Sequence, residues 1–322
     1  MTLKTRTLGK SGITVTELGL GLWAAGGSEW GPTDDAEVLG AIDRALELGV
    51  TFFDTSDVYG DGHSEELLGK AMRGRRDRFV VATKIGWRGF HDGRTAYGDV
   101  AALVRGVESN LQRLGTDYVD LIQSHISFRD PTMEVFLEGF QKLQQSGKVR
   151  AYGMSTSDFE YIRAFTADGH CASLQIDYSI LNRTPEAEIL DYCQKNGIGV
   201  IVRGALAMGL LAGKFDASTK FPEGDFRRKW LEVPEQNAIY REDLRKVEAL
   251  RALANAERSL AQAALQFPLL HPAVTTVIPG AKTARQVEQN IGAETAPPLS
   301  AEDRAFIDRV TPPGGGRKIW PA

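Results

Sequence analysis

The chain has 322 residues, a quarter of them charged, with a net charge of −4 at pH 7 and two cysteines. This mild negative balance argues against nucleic acid or an anionic membrane as a partner. Cys171 and Cys193 are too few for a disulfide framework and lack metal-ligand spacing, so no metal site is expected.

The N-terminus, M-T-L-K-T-R-T-L-G-K, has no apolar signal core, and no uncharged apolar run approaches about 18 residues, so a soluble cytoplasmic protein is expected. Two short runs joined by Gly-Lys-Ser-Gly in T-R-T-L-G-K-S-G-I-T-V-T predict an N-terminal β-hairpin. Leu18 to Leu22 reads as a strand. Asp34 to Leu48 reads as an amphipathic helix with Val38, Ile42, Ala45 and Leu46 on one face. Further strands are predicted at 51–54, 79–83, 118–123, 149–153, 173–176, 198–202 and 275–278. Helices are predicted near 64–73, 99–114, 131–146, 157–167, 185–196 and 283–291.

The strands are uniformly apolar, as expected when both faces of a parallel sheet are covered. Eight of them alternating with helices predict an α/β fold, a closed (β/α)8 TIM barrel. A doubly wound sheet is the alternative, but no G-x-G-x-x-G follows a strand and opens a helix. No Pro/Gly/Ser linker divides the chain, so residues 1–322 are expected to form one domain. Residues 204–238 break the strand–helix rhythm and read as a long loop at the strand-end face, a lid or binding loop. Residues 311–322, T-P-P-G-G-G-R-K-I-W-P-A, read as an irregular tail, either frayed or folded over a pocket by Ile319 and Trp320.

In a parallel barrel the carboxyl ends of the strands share one rim. Asp54, Lys84 and His125 end the second, third and fourth predicted strands, and Tyr59 lies on the loop beyond Asp54. Neighbouring strands are about 4.8 Å apart, so these side chains can converge on one small substrate. A phenol near pKa 10 is a poor acid at neutral pH, and an adjacent ammonium is expected to lower that pKa. Asp54 would keep Lys84 charged, and His125 would donate a hydrogen bond to a substrate oxygen. Together these groups polarise and protonate a carbonyl, but they supply no electrons, so a hydride donor must come from outside. Taken singly, each residue has an ordinary use: a capping acid, a loop aromatic, a solvated lysine, a structural histidine. Their joint placement is what points to chemistry.

The stretch from Gly49 to Met72, with D-T-S-D-V-Y-G at its centre, resembles the signature of the aldo-keto reductase superfamily. The likeness runs from the hairpin to I-P-G-A-K-T-A-R-Q-V-E-Q-N. The resemblance implies that Asp54, Tyr59, Lys84 and His125 are a catalytic tetrad with Tyr59 as general acid, and that the hairpin plugs the barrel bottom. It also implies NADP, bound as NADPH and extended across the rim. Ser155, Thr156 and Gln175 match positions that hold the nicotinamide amide, with Thr156 standing where Asn is common. Arg203 stands where a ring-stacking residue is common, with pairing to a nearby acid as the alternative. Gly204, Leu206 and Gly209 would bring backbone amides toward the pyrophosphate. Gly280, Lys282, Gln286 and Asn290 match the site for the adenosine 2′-phosphate and adenine, while Gln289 stands where an acid is common. Trp23, Trp87, Phe90 and Trp230 are candidates for lining an aromatic substrate pocket, or for plain packing.

The expected function is reduction of a small-molecule aldehyde or ketone by a protein that need be no more than a monomer. A nucleotide-binding regulatory or structural protein with little turnover is the alternative from another class. A phosphosugar isomerase on the same barrel is a third; it predicts a phosphate site without hydride chemistry.

Overall fold

The structure, a computed structural model, describes residues 2–27, 29–89, 95–126 and 132–319. Strands β1 (Thr5–Thr7) and β2 (Thr14–Thr16) pair antiparallel, Arg6 opposite Val15. Eight strands follow: β3 (Leu20–Gly21), β4 (Phe52–Asp54), β5 (Val80–Ile85), β6 (Val119–Ser124), β7 (Val149–Ser155), β8 (Ser173–Asp177), β9 (Gly199–Arg203) and β10 (Val274–Val277). They form one sheet in sequential order, every neighbouring pair parallel. Leu18 bridges Val277 and Gly21 bridges Gly280, also in parallel, so the sheet closes on itself as the (β/α)8 barrel. The first barrel strand is shorter than its predicted span because the chain there touches β10 through isolated bridges rather than a continuous ladder.

Period-two alternation sorts the strand residues into two cores. Phe53, Val81, Ile122, Tyr152 and Val200 face outward into the layer shared with the helices. Phe52, Ala82, Leu121, Ala151, Ile201 and Ile278 face inward. Leu8, Ile13 and Val15 of the hairpin join that inner cluster, so the hairpin plugs the barrel. The plug sits at the N-terminal strand ends: a Cβ on Gly9 would lie 2.3 Å from Ala172 O and 2.5 Å from Gly199 N. Two residues further along, the inward face of five strands is polar: Asp54, Lys84, Gln123, Gln175 and Arg203 follow Phe52, Ala82, Leu121, Ser173 and Ile201. This polar layer is the rim opposite the plug.

Most predicted helices are present, among them Asp35–Glu47, His63–Met72, Val100–Leu114 and Ala284–Ile291. Residues 204–238 are not irregular throughout. Tight turns fill Ala207–Ala212, and helical structure follows at Phe226–Arg228, Lys229–Glu232 and Pro234–Leu250. Helices Pro234–Leu250, Leu260–Leu269 and Ala301–Val310 are absent from the sequence reading. The first buries only Tyr240, Asp243, Val247 and Leu250 and so carries a faint apolar stripe. The second is apolar almost all round and contains Pro268. The tail is pinned as far as it is described: Arg183 N donates to Gly315 O at 2.8 Å, and Ile319, buried, donates its N–H to Asp177 Oδ2 at 3.3 Å. Trp320 lies outside the described residues.

Candidate active site

The polar rim brings the four predicted residues together. Lys84 Nζ, fully buried, donates to Asp54 Oδ1 at 2.5 Å, to Thr55 O at 2.9 Å and to the Tyr59 hydroxyl at 3.0 Å. All three ammonium hydrogens therefore have acceptors. The second oxygen of Asp54 accepts from Gln175 Nε2 at 2.8 Å and Gln123 Nε2 at 3.2 Å. His125, one residue past β6, packs edge-on to Tyr59 with ring centroids 6.1 Å apart. Its Nδ1 lies 3.1 Å from Ser56 Oγ.

The electrostatics depart from the sequence expectation in one respect. Burial raises the Tyr59 pKa; the nearby Lys84 ammonium pulls it down, Asp54 pushes it up, and the net direction is upward. The phenol is thus held protonated more firmly than in water, because the dry pocket penalises phenolate more than one ammonium relieves it. Burial also opposes the Lys84 charge, but Asp54 and Tyr59 outweigh it and hold the ammonium above its usual range. Burial, followed by the charges of Lys84 and Arg203, drives His125 well below 6.5, so its imidazole is neutral at neutral pH.

The remaining predicted positions divide. Ser155 ends β7 and pairs in register with Gln175, but the Gln175 amide is spent on Asp54 beneath the rim. Thr156 accepts the Asp158 N–H at 3.0 Å through its hydroxyl and so is engaged in a local turn. Arg203, half-buried, ends β9 opposite Asp177, and its charge acts on Asp177 as well as on Tyr59 and His125. Past it, Gly204 has φ 70°, and Ala207, Met208 and Gly209 follow Leu206 with φ of 48°, 54° and 95°. Left-handed backbone at two residues with side chains costs on the order of 1–3 kcal/mol each and persists where a site is built around it.

Beyond β10, Lys282 Nζ donates to Trp30 O at 2.7 Å, Pro32 O at 3.4 Å and Gly31 O at 3.5 Å. Those partners are neutral, and burial and the neighbouring Arg227 hold the ammonium below its usual pKa. Arg227 itself is paired with Asp225 and donates to Met208 O at 3.2 Å. Gln286 accepts from Lys282 N at 2.7 Å, and Asn290 donates to Gly280 O at 3.3 Å at the helix Ala284–Ile291.

Of the aromatic candidates, Trp23 stacks on Tyr59 and on Phe226. Trp230 lines a neighbouring cleft of about 460 Å³ with Phe226, Tyr240 and the tail residues Arg317, Lys318 and Ile319. Trp87 is half-buried just past β5, and Phe90 lies outside the described residues. Sequence reasoning missed Gln123, Ser56 and Phe226 as site residues. Gln123 carried a usable signal, a lone amide in the apolar run V-D-L-I-Q-S-H; Phe226 fell within the predicted loop at 204–238, and Ser56 gave none, since its contact with His125 is long-range.

The profile of the Aldo/keto reductase family matches residues 17–312. Aldo-keto reductase YhdN of Bacillus subtilis (strain 168) is 33% identical over 310 residues, 94% of this chain and 92% of that protein. The holo form of aldo-keto reductase AKR11C1 from Bacillus halodurans superposes with a TM-score of 0.77 at 35% identity, covering 96% of each chain. An aldo-keto reductase from Klebsiella pneumoniae in complex with NADPH superposes at 0.73 with 29% identity, over 97% of this chain and 96% of that one. This chain belongs to the aldo/keto reductase family.

Proposed function

We propose that this protein is an NADP(H)-dependent carbonyl reductase that converts an aldehyde or ketone to an alcohol, with Tyr59 as proton donor. The observation that carries the reading is the Lys84 ammonium held between Asp54 and the Tyr59 hydroxyl, 2.5 and 3.0 Å away. Lys84 donates to the phenol oxygen, so the phenol's own hydrogen is left for a substrate oxygen. A phenolate formed there is met at once by a buried ammonium, a preorganised stabilisation that water would have to reorganise to provide. Neutral His125 can offer one N–H to the same oxygen and so align the carbonyl.

A nicotinamide dinucleotide, when bound, supplies the hydride these side chains lack. The residues present suit its anionic groups. Lys282 and Arg227 are adjacent cations whose repulsion a phosphate would relieve, beside a helix N-terminus at Ala284. In the left-handed run at 207–209, Ala207 N and Gly209 N are bonded to Gly204 O and Leu206 O at 2.7 and 3.0 Å, which folds the chain into tight turns beyond Arg203. Ser155, Thr156, Arg203, Gly204, Leu206 and Gly209 would hold the nicotinamide and pyrophosphate side, and Gly280, Lys282, Gln286 and Asn290 the adenosine side. Gln175 is proposed to act chiefly by fixing Asp54. The bound NADPH of the Klebsiella relative supports the cofactor choice. The proposal includes a single barrel domain, monomeric and cytoplasmic, with both cysteines as buried thiols. Among the described residues no helix is long and apolar enough to cross a membrane.

The test is fluorescence titration with NADPH and NADH, then a panel of aldehydes and ketones with NADPH loss followed by absorbance. Preferential NADPH binding with turnover of any carbonyl supports the reading. Tight binding without turnover across the panel points instead to a regulatory protein, and absence of nucleotide binding overturns the cofactor assignment.

A further inference from the structure

We infer that Ser56 and Asp57 set the tautomer of His125, and thereby decide whether the site receives a carbonyl or an alcohol. Ser56 is on this account a positioning residue acting through the imidazole. The inference rests on the proposed reading in which His125 meets the substrate oxygen.

The geometry is a three-membered chain. After β4 the backbone turns through residues 55–57 against β5, with Thr55 N bonded to Ala82 O at 2.9 Å and Asp57 N to Lys84 O at 3.3 Å. This fixes the Ser56 hydroxyl 3.1 Å from Asp57 Oδ1 and 3.1 Å from His125 Nδ1. Ser56 and Asp57 have no solvent exposure, so water does not substitute for either partner. With Nδ1 taken by Ser56, Nε2 is the nitrogen left for a substrate.

A hydroxyl carries one hydrogen and cannot donate both ways. When Asp57 is ionised it only accepts, so Ser56 donates to the carboxylate in a charge-assisted bond and accepts from Nδ1–H. Nε2 is then bare: it accepts an alcohol O–H and repels a carbonyl oxygen. When Asp57 is protonated, its O–H donates to Ser56, Ser56 donates to Nδ1, and Nε2 carries the hydrogen a carbonyl requires. The two states differ by one proton taken from solvent. The imidazole is neutral in both, since its tautomer changes and its charge does not.

The surroundings permit both states. Asp57 faces Tyr97, whose hydroxyl donates to Oδ2 at 3.5 Å, Arg88 beyond β5, Arg113 on Val100–Leu114 and Glu65 on His63–Met72. Burial raises its carboxyl to about 6, with Ser56 and the two arginines opposing, so the switch lies within the physiological range. Burial, and then the charges of Lys84 and Arg203 facing it, keep His125 from becoming imidazolium.

The tautomer is read by nitrogen NMR of protein labelled at its five histidines, with His125→Asn used for assignment. Between about pH 5 and 8 the parent should pass from Nε2–H to Nδ1–H, and kcat/KM for reduction should fall about tenfold per pH unit above about 6. In Ser56→Ala and Asp57→Asn both responses should vanish, and Ser56→Thr, which restores the hydroxyl, should recover them. A pH step that survives in Ser56→Ala overturns the inference. The two possible failures look different. Reduction persisting in His125→Asn overturns the functional reading and this inference with it. Reduction lost in His125→Asn, with a parent tautomer that never changes, overturns the inference alone.

Discussion

The indole of Trp23 lies against the phenol ring of Tyr59, centroids 6.0 Å apart and planes 26° from parallel, and the same indole stacks on Phe226 at 5.9 Å and 9°. Trp23 Nε1 is fixed to Glu29 Oε2 at 2.6 Å, and Phe226 N to Glu29 O at 3.0 Å, so one loop holds both rings over the Tyr59 phenol. This aromatic cover contributes to the dryness that keeps Tyr59 protonated. A Trp23→Ala variant should lose a stacking surface worth about 0.5–1.5 kcal/mol. The expected result is a several-fold rise in KM for an aromatic aldehyde, with a smaller change for an aliphatic one, in steady-state assays.

Tyr59→Phe removes the only proposed acid and leaves the ring, its stacking and the cofactor contacts in place. Reduction should fall by about 10²–10⁴-fold while NADPH affinity stays within about twofold. Single-turnover assays and fluorescence titration of the same preparation measure both. Undiminished reduction would remove Tyr59 from the mechanism.

Lys84→Met strands the Asp54 carboxylate in the barrel with only the amides of Gln123 and Gln175 against it. Breaking one side of a buried pair should cost about 3–5 kcal/mol, seen as a lower urea midpoint. The double variant Lys84→Met, Asp54→Leu should be the more stable of the two, because no unpaired charge remains.

Glu65 is enclosed by Thr83 and Arg113 in the layer between the barrel and its helices, and burial raises its carboxyl from 4.5 to about 7. The folded state therefore holds this proton more tightly than the unfolded chain. The associated stability is fully present below pH 4.5 and is lost as pH rises through about 7. The shift corresponds to roughly 3 kcal/mol. Urea unfolding should show the parent losing stability relative to Glu65→Gln between about pH 5 and 8. Parallel pH profiles for the two proteins would contradict the assignment.

Lys282→Ala removes the cation proposed for the extra phosphate and also the bonds that draw in the carbonyls of Trp30, Gly31 and Pro32. NADPH affinity should fall about tenfold or more, and NADH affinity less, since only part of the loss addresses the shared pyrophosphate. Equal weakening of both nucleotides would assign Lys282 to holding the loop alone.

Local pattern made the barrel and the convergence of its strand-end polar residues legible. Uniformly apolar strands separated by helices define a parallel barrel, and a strand's carboxyl end is a fixed place in one, so Asp54, Lys84 and His125 converge wherever the loops go. Period two in β4, β5 and β6 puts each polar residue two positions past an inward apolar one. Three matters only the tertiary structure decided. The direction of the Tyr59 shift depends on how much water the Trp23 and Phe226 cover excludes, and no local spacing encodes that. Gln175 turns to Asp54 because the closed sheet sets β8 across the barrel from β4. The Ser56 hydroxyl acquires meaning from His125, 69 positions away in the chain. Periodicity constrains which face a residue occupies, whereas desolvation and hydrogen-bond partners belong to atoms brought together by closure of the barrel.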